Sequence, residues 1–310
     1  MNPRALFVGG DGSVRAFWRL LFFVGATVVG FTVIMAIVYP IAAALGLPDF
    51  ARATRLPIPD LMTVGALLIG TYAASRAVDG VRDGIWTRVG LGARALRWRA
   101  IGIGLAAGTL AILVPSAALI AAGRFALEKQ PELQSWMSAS GVALVVLTLA
   151  ALAEELFMRG YVLTTLRASV GTLGAIVITS VLFALLHLGN PDPTIVGIAM
   201  VGLAGYFLAV VRIATGSLYA AWMAHLAWNF AQAALLHAPV SGLPLPQPGY
   251  RLVDHGPAWL TGGSWGPEGG IAAAVGMLVT IFLLISVLKR RATGEAVAPL
   301  ASISGELTNE

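Results

Sequence analysis

The sequence predicts an all-α, polytopic membrane protein of about eight transmembrane helices with an intramembrane polar site. Three observations carry this. Of 310 residues 58% are hydrophobic, and mean hydropathy is +0.84. Charged residues make up only 11%, against about 25% in soluble domains. The apolar residues also run in stretches of about 20, the length a bilayer core demands of a helix. A soluble globular enzyme, a disordered chain and a nucleic-acid-binding module are excluded. With no cysteine in the chain, disulfides, iron–sulfur clusters and thiolate zinc sites are excluded too.

The candidate spans are 17–45, 56–74, 101–122, 140–162, 173–188, 194–211, 217–236 and 271–288. The first carries Phe17 and Trp18 at its start, and its apolar run exceeds a signal-peptide core; it reads as a span of the mature protein. The fifth is short. Eight spans place both termini on one side. That side receives Arg4, Arg15, Arg19, Arg76, Arg82, Arg88, Arg94, Arg97, Arg99, Arg159, Arg167, Arg212, Lys289, Arg290 and Arg291. Only Arg52, Arg55, Arg124, Lys129 and Arg251 fall opposite. The positive-inside rule then puts both termini in the cytoplasm of a multi-pass cell (inner) membrane protein.

Two connections are long. Residues 75–100 are basic and carry Trp86 and Trp98, as an interfacial cytoplasmic segment does. Residues 237–270 are rich in Pro and Gly and are expected outside. The chain divides into 1–139 (three spans and the basic loop), 140–236 (four spans), 237–291 (outer connection and last span) and 292–310, a polar tail expected to be disordered.

Ionisable groups inside lipid-length spans are costly and usually functional. Of fifteen Asp and Glu residues, only Glu154 and Glu155 fall deep in a span, with Arg159 one turn later. Two of four histidines are intramembrane: His187, one turn after Phe183, and His225, one turn before Asn229. Glu155 and Arg159 share a helix face and can pair. Glu154, rotated by about 100°, points elsewhere and is free. Taken singly, each residue reads as structural: a hydrogen-bonded His, an ion pair, an interhelical amide. Together, in a chain that excludes charge from nearly every span, they read as one site.

A carboxylate in apolar surroundings suits a general base, with His and Asn groups stabilising an oxyanion. Glu154, His187 and His225 equally form a donor set for one divalent metal ion such as zinc, with an open position for water. The residues leave both versions open, and with them cofactor-free and metal-dependent chemistry.

The three motifs, Glu154-Glu155-Leu156-Phe157-Met158-Arg159, Phe183-x-x-x-His187 and His225-x-x-x-Asn229, resemble those of the CPBP family. These are the CAAX-protease and bacteriocin-processing membrane proteins, also called Abi. The resemblance covers about residues 140–236. It implies an intramembrane endopeptidase acting on membrane-associated proteins or peptides, with the lipid bilayer and no nucleic acid as partner. By motif position Glu154 would activate water, His187 and His225 would be its partners and Asn229 an oxyanion or orienting residue. Glu155, Arg159 and Phe183 would support them. The alternative is a non-catalytic membrane scaffold or bacteriocin-immunity protein that uses the same polar cluster to bind a partner. A transporter using Glu154 as a proton site is disfavoured by the absence of an inverted repeat.

One register is awkward. At 1.5 Å per residue, Glu154 and His225 lie roughly 12–16 Å from the cytoplasmic ends of their spans, and His187 comes out about 10 Å farther. The expectation is a site in the cytoplasmic half, with 161–170 lying along the interface or re-entering. Gly262-Gly263-Ser264-Trp265-Gly266 matches a nucleophile-elbow pattern but reads better as a Gly-rich turn. Gly104-x-x-x-Gly108 reads as helix packing within the chain.

Overall fold

In a computed structural model, which describes residues 4–8, 14–54, 58–79, 85–130, 135–245 and 248–295, the chain is a bundle of long helices. These are α1 (Ala16–Ala44), α2 (Ile58–Asp79), α3 (Trp98–Ala121), α4 (Trp136–Glu155), α5 (Leu163–Leu186), α6 (Ile195–Thr215), α7 (Leu218–Phe230) and α8 (Ile271–Glu295). Five helical stretches among the described residues are long and apolar enough to cross a membrane, one of them the continuous Trp136–Gly189 run. Arg55, Arg82, Pro246 and the tail from 296 on lie outside the described residues. The first residues of the tail, through Glu295, extend α8.

Local signals set the boundaries. Ser135 caps α4 by accepting from Ser138 N at 3.2 Å, and Thr194 caps α6 by accepting from Gly197 N at 2.9 Å. Gly216, at φ 65, ends α6 in the left-handed conformation that glycine adopts without strain. The basic segment 85–97 folds back over the α6–α7 turn: Leu218 N donates to Gly90 O at 2.9 Å and Ser217 Oγ to Ala95 O at 2.7 Å. Trp98 is 86% exposed, as an interfacial anchor would be.

The Gly104-x-x-x-Gly108 pattern packs α3 on α7. A Cβ at Gly104 would stand 2.1 Å from Ala220 O, and one at Gly108 2.0 Å from Ala224 O. Only glycine lets the two backbones approach this closely, and α7 is the helix that carries His225. The helix α8 closes the same core through Met277 and Ile281, beside Ile112, Phe207 and Trp228.

The fourth span does not end near 162, and 161–170 neither re-enters nor lies flat. The helical path of α4 continues through a π-helical segment, Leu156–Val162, into the start of α5. Tyr161, Val162 and Leu163 are buried. The chain reverses at Gly171, where φ 74 and ψ 174 break the helix, a region open essentially to glycine alone. Ala175 and Ile176 then pack against Tyr161, Val162, Leu163 and Leu166.

This reversal removes the register difficulty. Glu155 lies sixteen residues before Gly171 and His187 sixteen after it, so both stand about 24 Å up their legs. Arg159, counted with the basic side from sequence, is instead fully buried in the bundle.

At the opposite end the 237–270 connection is folded. Its strand β2 (Tyr250–Asp254) pairs antiparallel with β1 (Phe125–Lys129), Phe125 opposite Asp254, which adds a two-stranded ribbon to the helical fold. Asp254 organises the next turn, accepting from Gly256 N at 2.8 Å, Thr261 Oγ1 at 2.7 Å and Gly263 N at 3.2 Å. Trp265 is fully buried beneath that turn. The Gly262-x-Ser264-x-Gly266 pattern is this turn, with Gly262 at φ 97, Gly266 at φ 99 and Ser264 exposed at its tip.

Candidate active site

Four helices bring the polar groups together. On α4, Glu155 and Arg159 are both fully buried, and Arg159 Nη1 meets Glu155 Oε1 at 2.7 Å. A buried charge pair of this kind survives only with further hydrogen bonds. Here Arg159 Nη2 donates to Gly205 O on α6 at 3.1 Å, and the guanidinium carbon lies 4.2 Å from the centre of the Phe183 ring on α5. Phe183 therefore does more than wall off the site. It is a cation–π platform that locks the α5 leg against α4.

From α7, His225 presents Nδ1 to the same Glu155 Oε1 at 3.1 Å. An ionised carboxylate only accepts, so Nδ1 donates and Nε2 is left to face the other carboxylate. That separation, His225 Nε2 to Glu154 Oε2, is 4.0 Å. Glu154 differs from its neighbour as the 100° rotation requires. Its side chain is 37% exposed, while Oε2 is buried and has no hydrogen-bond partner. Glu155 Oε2 is likewise buried without a hydrogen-bond partner, so the two differ in that Glu155 is held through Oε1 by two partners and Glu154 is the more exposed carboxylate.

His187 ends α5 and is half-buried. Its Nδ1 lies 2.8 Å from Phe183 O; a carbonyl accepts, so Nδ1 donates and Nε2 is again free. Phe183 stands between the two imidazoles, at ring distances of 4.6 Å from His187 and 6.1 Å from His225. His187, Phe183, His225 and Asn229 line one cavity, together with Trp228, Ser241 and Glu268. Its free volume is about 30 Å³, room for about two water molecules. Glu154 is not in that lining and faces the cavity's histidine through Nε2.

The cavity extends from the middle of α7 toward the Pro/Gly-rich connection, which roofs it with Ser241 and Glu268. Glu268 went unrecognised in the sequence, since the connection read as a solvated loop. It is only 7% exposed. Two signals point to it: a lone acid between Pro267 and Gly269, and the row His225, Trp228, Asn229, Gln232 at helical spacing on α7, whose Trp and Gln require a partner when buried. Two π-helical segments also border the site, Leu156–Val162 directly after Glu155 and Ala231–Leu236 directly after α7, a placement common at functional sites.

The fit to a metal divides into chemistry and position. Both imidazoles are held through Nδ1 with Nε2 free, as in metal-binding histidines. Among the described residues, however, no three His, Cys, Asp or Glu side chains stand close enough to hold one ion. As placed, Glu154, His187 and His225 do not fit a three-ligand centre, and no step below is routed through one.

No curated protein and no solved structure matches the chain. Residues 136–231 match the family described as type II CAAX prenyl endopeptidase Rce1-like. The matched segment contains Glu154, Glu155, Arg159, Phe183, His187, His225 and Asn229 and stops short of Ser241 and Glu268. Over that segment, about a third of its length, this membrane chain is similar to the CPBP, or CAAX-protease, family.

Proposed function

We propose that the protein is an intramembrane endopeptidase that hydrolyses peptide bonds of membrane-associated proteins or peptides, with Glu154 as the water-activating base. The observation that carries this reading is the asymmetry of the two carboxylates around His225. Glu155 is fully buried and fixed through Oε1 by Arg159 and His225 Nδ1, with its Oε2 unpartnered, whereas Glu154 is 37% exposed and its unpartnered Oε2 faces His225 Nε2 across 4.0 Å. That gap is too long for a direct hydrogen bond, and a small outward turn of the Glu154 side chain, which is 37% exposed, would admit one water between the two groups.

In the proposed reaction Glu154 takes a proton from that water, and the hydroxide oxygen bonds to the scissile carbonyl carbon. The Asn229 amide donates to the oxyanion. Collapse breaks the C–N bond as protonated Glu154 returns its proton to the leaving amine. His225, its tautomer fixed by Glu155, orients the water through Nε2. His187 Nε2, on the cavity wall, accepts from the substrate backbone or from a second water. The aliphatic walls, Val201 and Leu208 among them, line the cavity beside His187 and His225.

The test is terminal-peptide profiling of membranes from cells carrying the native chain or Glu154→Gln at matched abundance. Fragments that require Glu154 establish proteolysis and name substrates. Identical profiles at matched abundance would sink the peptidase reading.

A further inference from the structure

Glu268 takes no part in the reaction proposed above, yet it is the most heavily bonded acid in the described part of the site. Its Oε2 accepts from Gln232 Nε2 at 2.8 Å and from Trp228 Nε1, and its Oε1 accepts from Ser241 N and Ser241 Oγ, both at 2.6 Å. Its own N–H donates to Gln232 Oε1 at 3.2 Å. Four donors fill the positions a carboxylate offers, so no lone pair is left for a reacting atom, and Glu268 is not a catalytic residue.

Its bonds instead tie three pieces of chain together. Trp228 lies on α7 with His225 and Asn229, and Gln232 lies in the π-helical segment that continues it. Ser241 belongs to the connection, and its carbonyl accepts from Asn190 Nδ2 at 2.9 Å, three residues after His187. Ser241 itself sits at φ 49, a left-handed conformation that costs a non-glycine residue energy and that the two bonds to Glu268 hold. Beside it Trp265, fully buried, packs against Phe183 and Val201. The cavity beside them has room for about two waters, so a peptide needs more space next to His225 than this arrangement leaves.

We propose that Glu268 is a positioning residue that clasps the 237–270 connection over the cavity, and that the connection is the door through which a peptide substrate enters. The proposal rests on the peptidase reading for the nature of the visitor, while the clasp itself does not. Of the clasp residues Trp228 lies inside the matched segment 136–231, while Gln232, Ser241 and Glu268 lie beyond it.

The absence of cysteine allows a test that needs no substrate. Val201→Cys places one thiol on the cavity wall, where Val201 is 4% exposed beneath Trp265. Ile112→Cys places one in the α3–α7 core, fully buried and outside the cavity lining. Each full-length protein, in lipid nanodiscs, is labelled with a water-soluble maleimide. In the native background both thiols react slowly. Adding Glu268→Gln should speed labelling at 201 by about tenfold, the effect of a shift of roughly 1.4 kcal/mol in the opening equilibrium. Ser241→Ala, which removes one bond, should give a smaller rise, and the thiol at 112 should stay slow throughout. An unchanged rate at 201 overturns the clasp. An equal rise at 112 also overturns it, since Glu268 would then be a general support of the fold. Glu154→Gln should leave both rates unaltered, so failure of the peptidase reading cannot be mistaken for failure of the door.

Discussion

Arg159 and Phe183 stand twelve residues on either side of Gly171, and the Arg159 guanidinium carbon lies 4.2 Å from the Phe183 ring centre. The equal spacing sets the register of the α4–α5 hairpin and, one turn farther up each leg, brings Glu155 level with His187. Gly171 is therefore the residue on which the site's alignment turns. Its φ of 74 and ψ of 174 are closed to other residues at a cost of about 1–3 kcal/mol. Gly171→Ala should lower the melting temperature of the purified protein and reduce peptide cleavage. Unchanged melting and activity would show that the reversal does not depend on this glycine.

The two neighbouring carboxylates should separate stability from chemistry. Arg159→Ala leaves Glu155, fully buried, without its cation, a loss of about 3–5 kcal/mol for a broken buried pair. It should appear as a reduced monodisperse fraction in size-exclusion chromatography. Glu154→Gln touches a side chain that is 37% exposed and makes no hydrogen bond through Oε2. It should keep native yield and melting while cleavage falls below detection. If both variants lost yield equally, the division of labour would be wrong.

The histidines should differ in the same manner. His187 hydrogen-bonds only to a carbonyl of its own helix and is half-buried, so His187→Ala should stop cleavage with little change in melting. His225 is one of the two partners of Glu155 Oε1 and is 7% exposed. His225→Ala should stop cleavage and also lower the melting temperature, by less than Arg159→Ala does. Thermal melts of the three proteins, in one detergent, rank them directly.

The division between what was legible in the sequence and what was not follows from physics. Charge inside lipid-length apolar runs is rare because it is costly, so Glu154, Glu155, Arg159, His187 and His225 stood out against their surroundings. The hairpin register was hidden because 156–186 carries no Pro or acidic residue to mark the turn, and a π-helical stretch followed by helix gives no break until Gly171. Glu268 was hidden for the opposite reason. In a Pro/Gly-rich connection an acid is unremarkable by composition, and its burial is imposed by donors on a distant helix, Trp228 and Gln232. Gly104 and Gly108 fall between: their spacing announced close packing, while the partner helix, α7, is a property of the fold.

That packing makes a further prediction. A Cβ at Gly108 would lie 2.0 Å from Ala224 O, one residue before His225, so even a methyl group must push α7 away from α3. Gly108→Ala should destabilise by about 1–3 kcal/mol, the usual range for overpacking, and should impair cleavage beyond the loss of folded protein because His225 moves with its helix. Activity per folded molecule, with folded protein quantified by chromatography, separates the two effects. Equal activity per folded molecule would mean that the α3–α7 distance does not position His225.

The metal question has a direct measurement. With no three described His, Asp or Glu side chains close enough to share an ion, the proposed reaction runs on Glu154 and water alone. Protein dialysed against a strong zinc chelator should cleave at its original rate and carry no stoichiometric zinc by elemental analysis. If cleavage instead stopped and returned with one equivalent of zinc per chain, Glu154, His187 and His225 would have to close around an ion during the cycle. In that case His187→Ala and His225→Ala should each abolish stoichiometric zinc binding, a result that does not depend on having a substrate in hand.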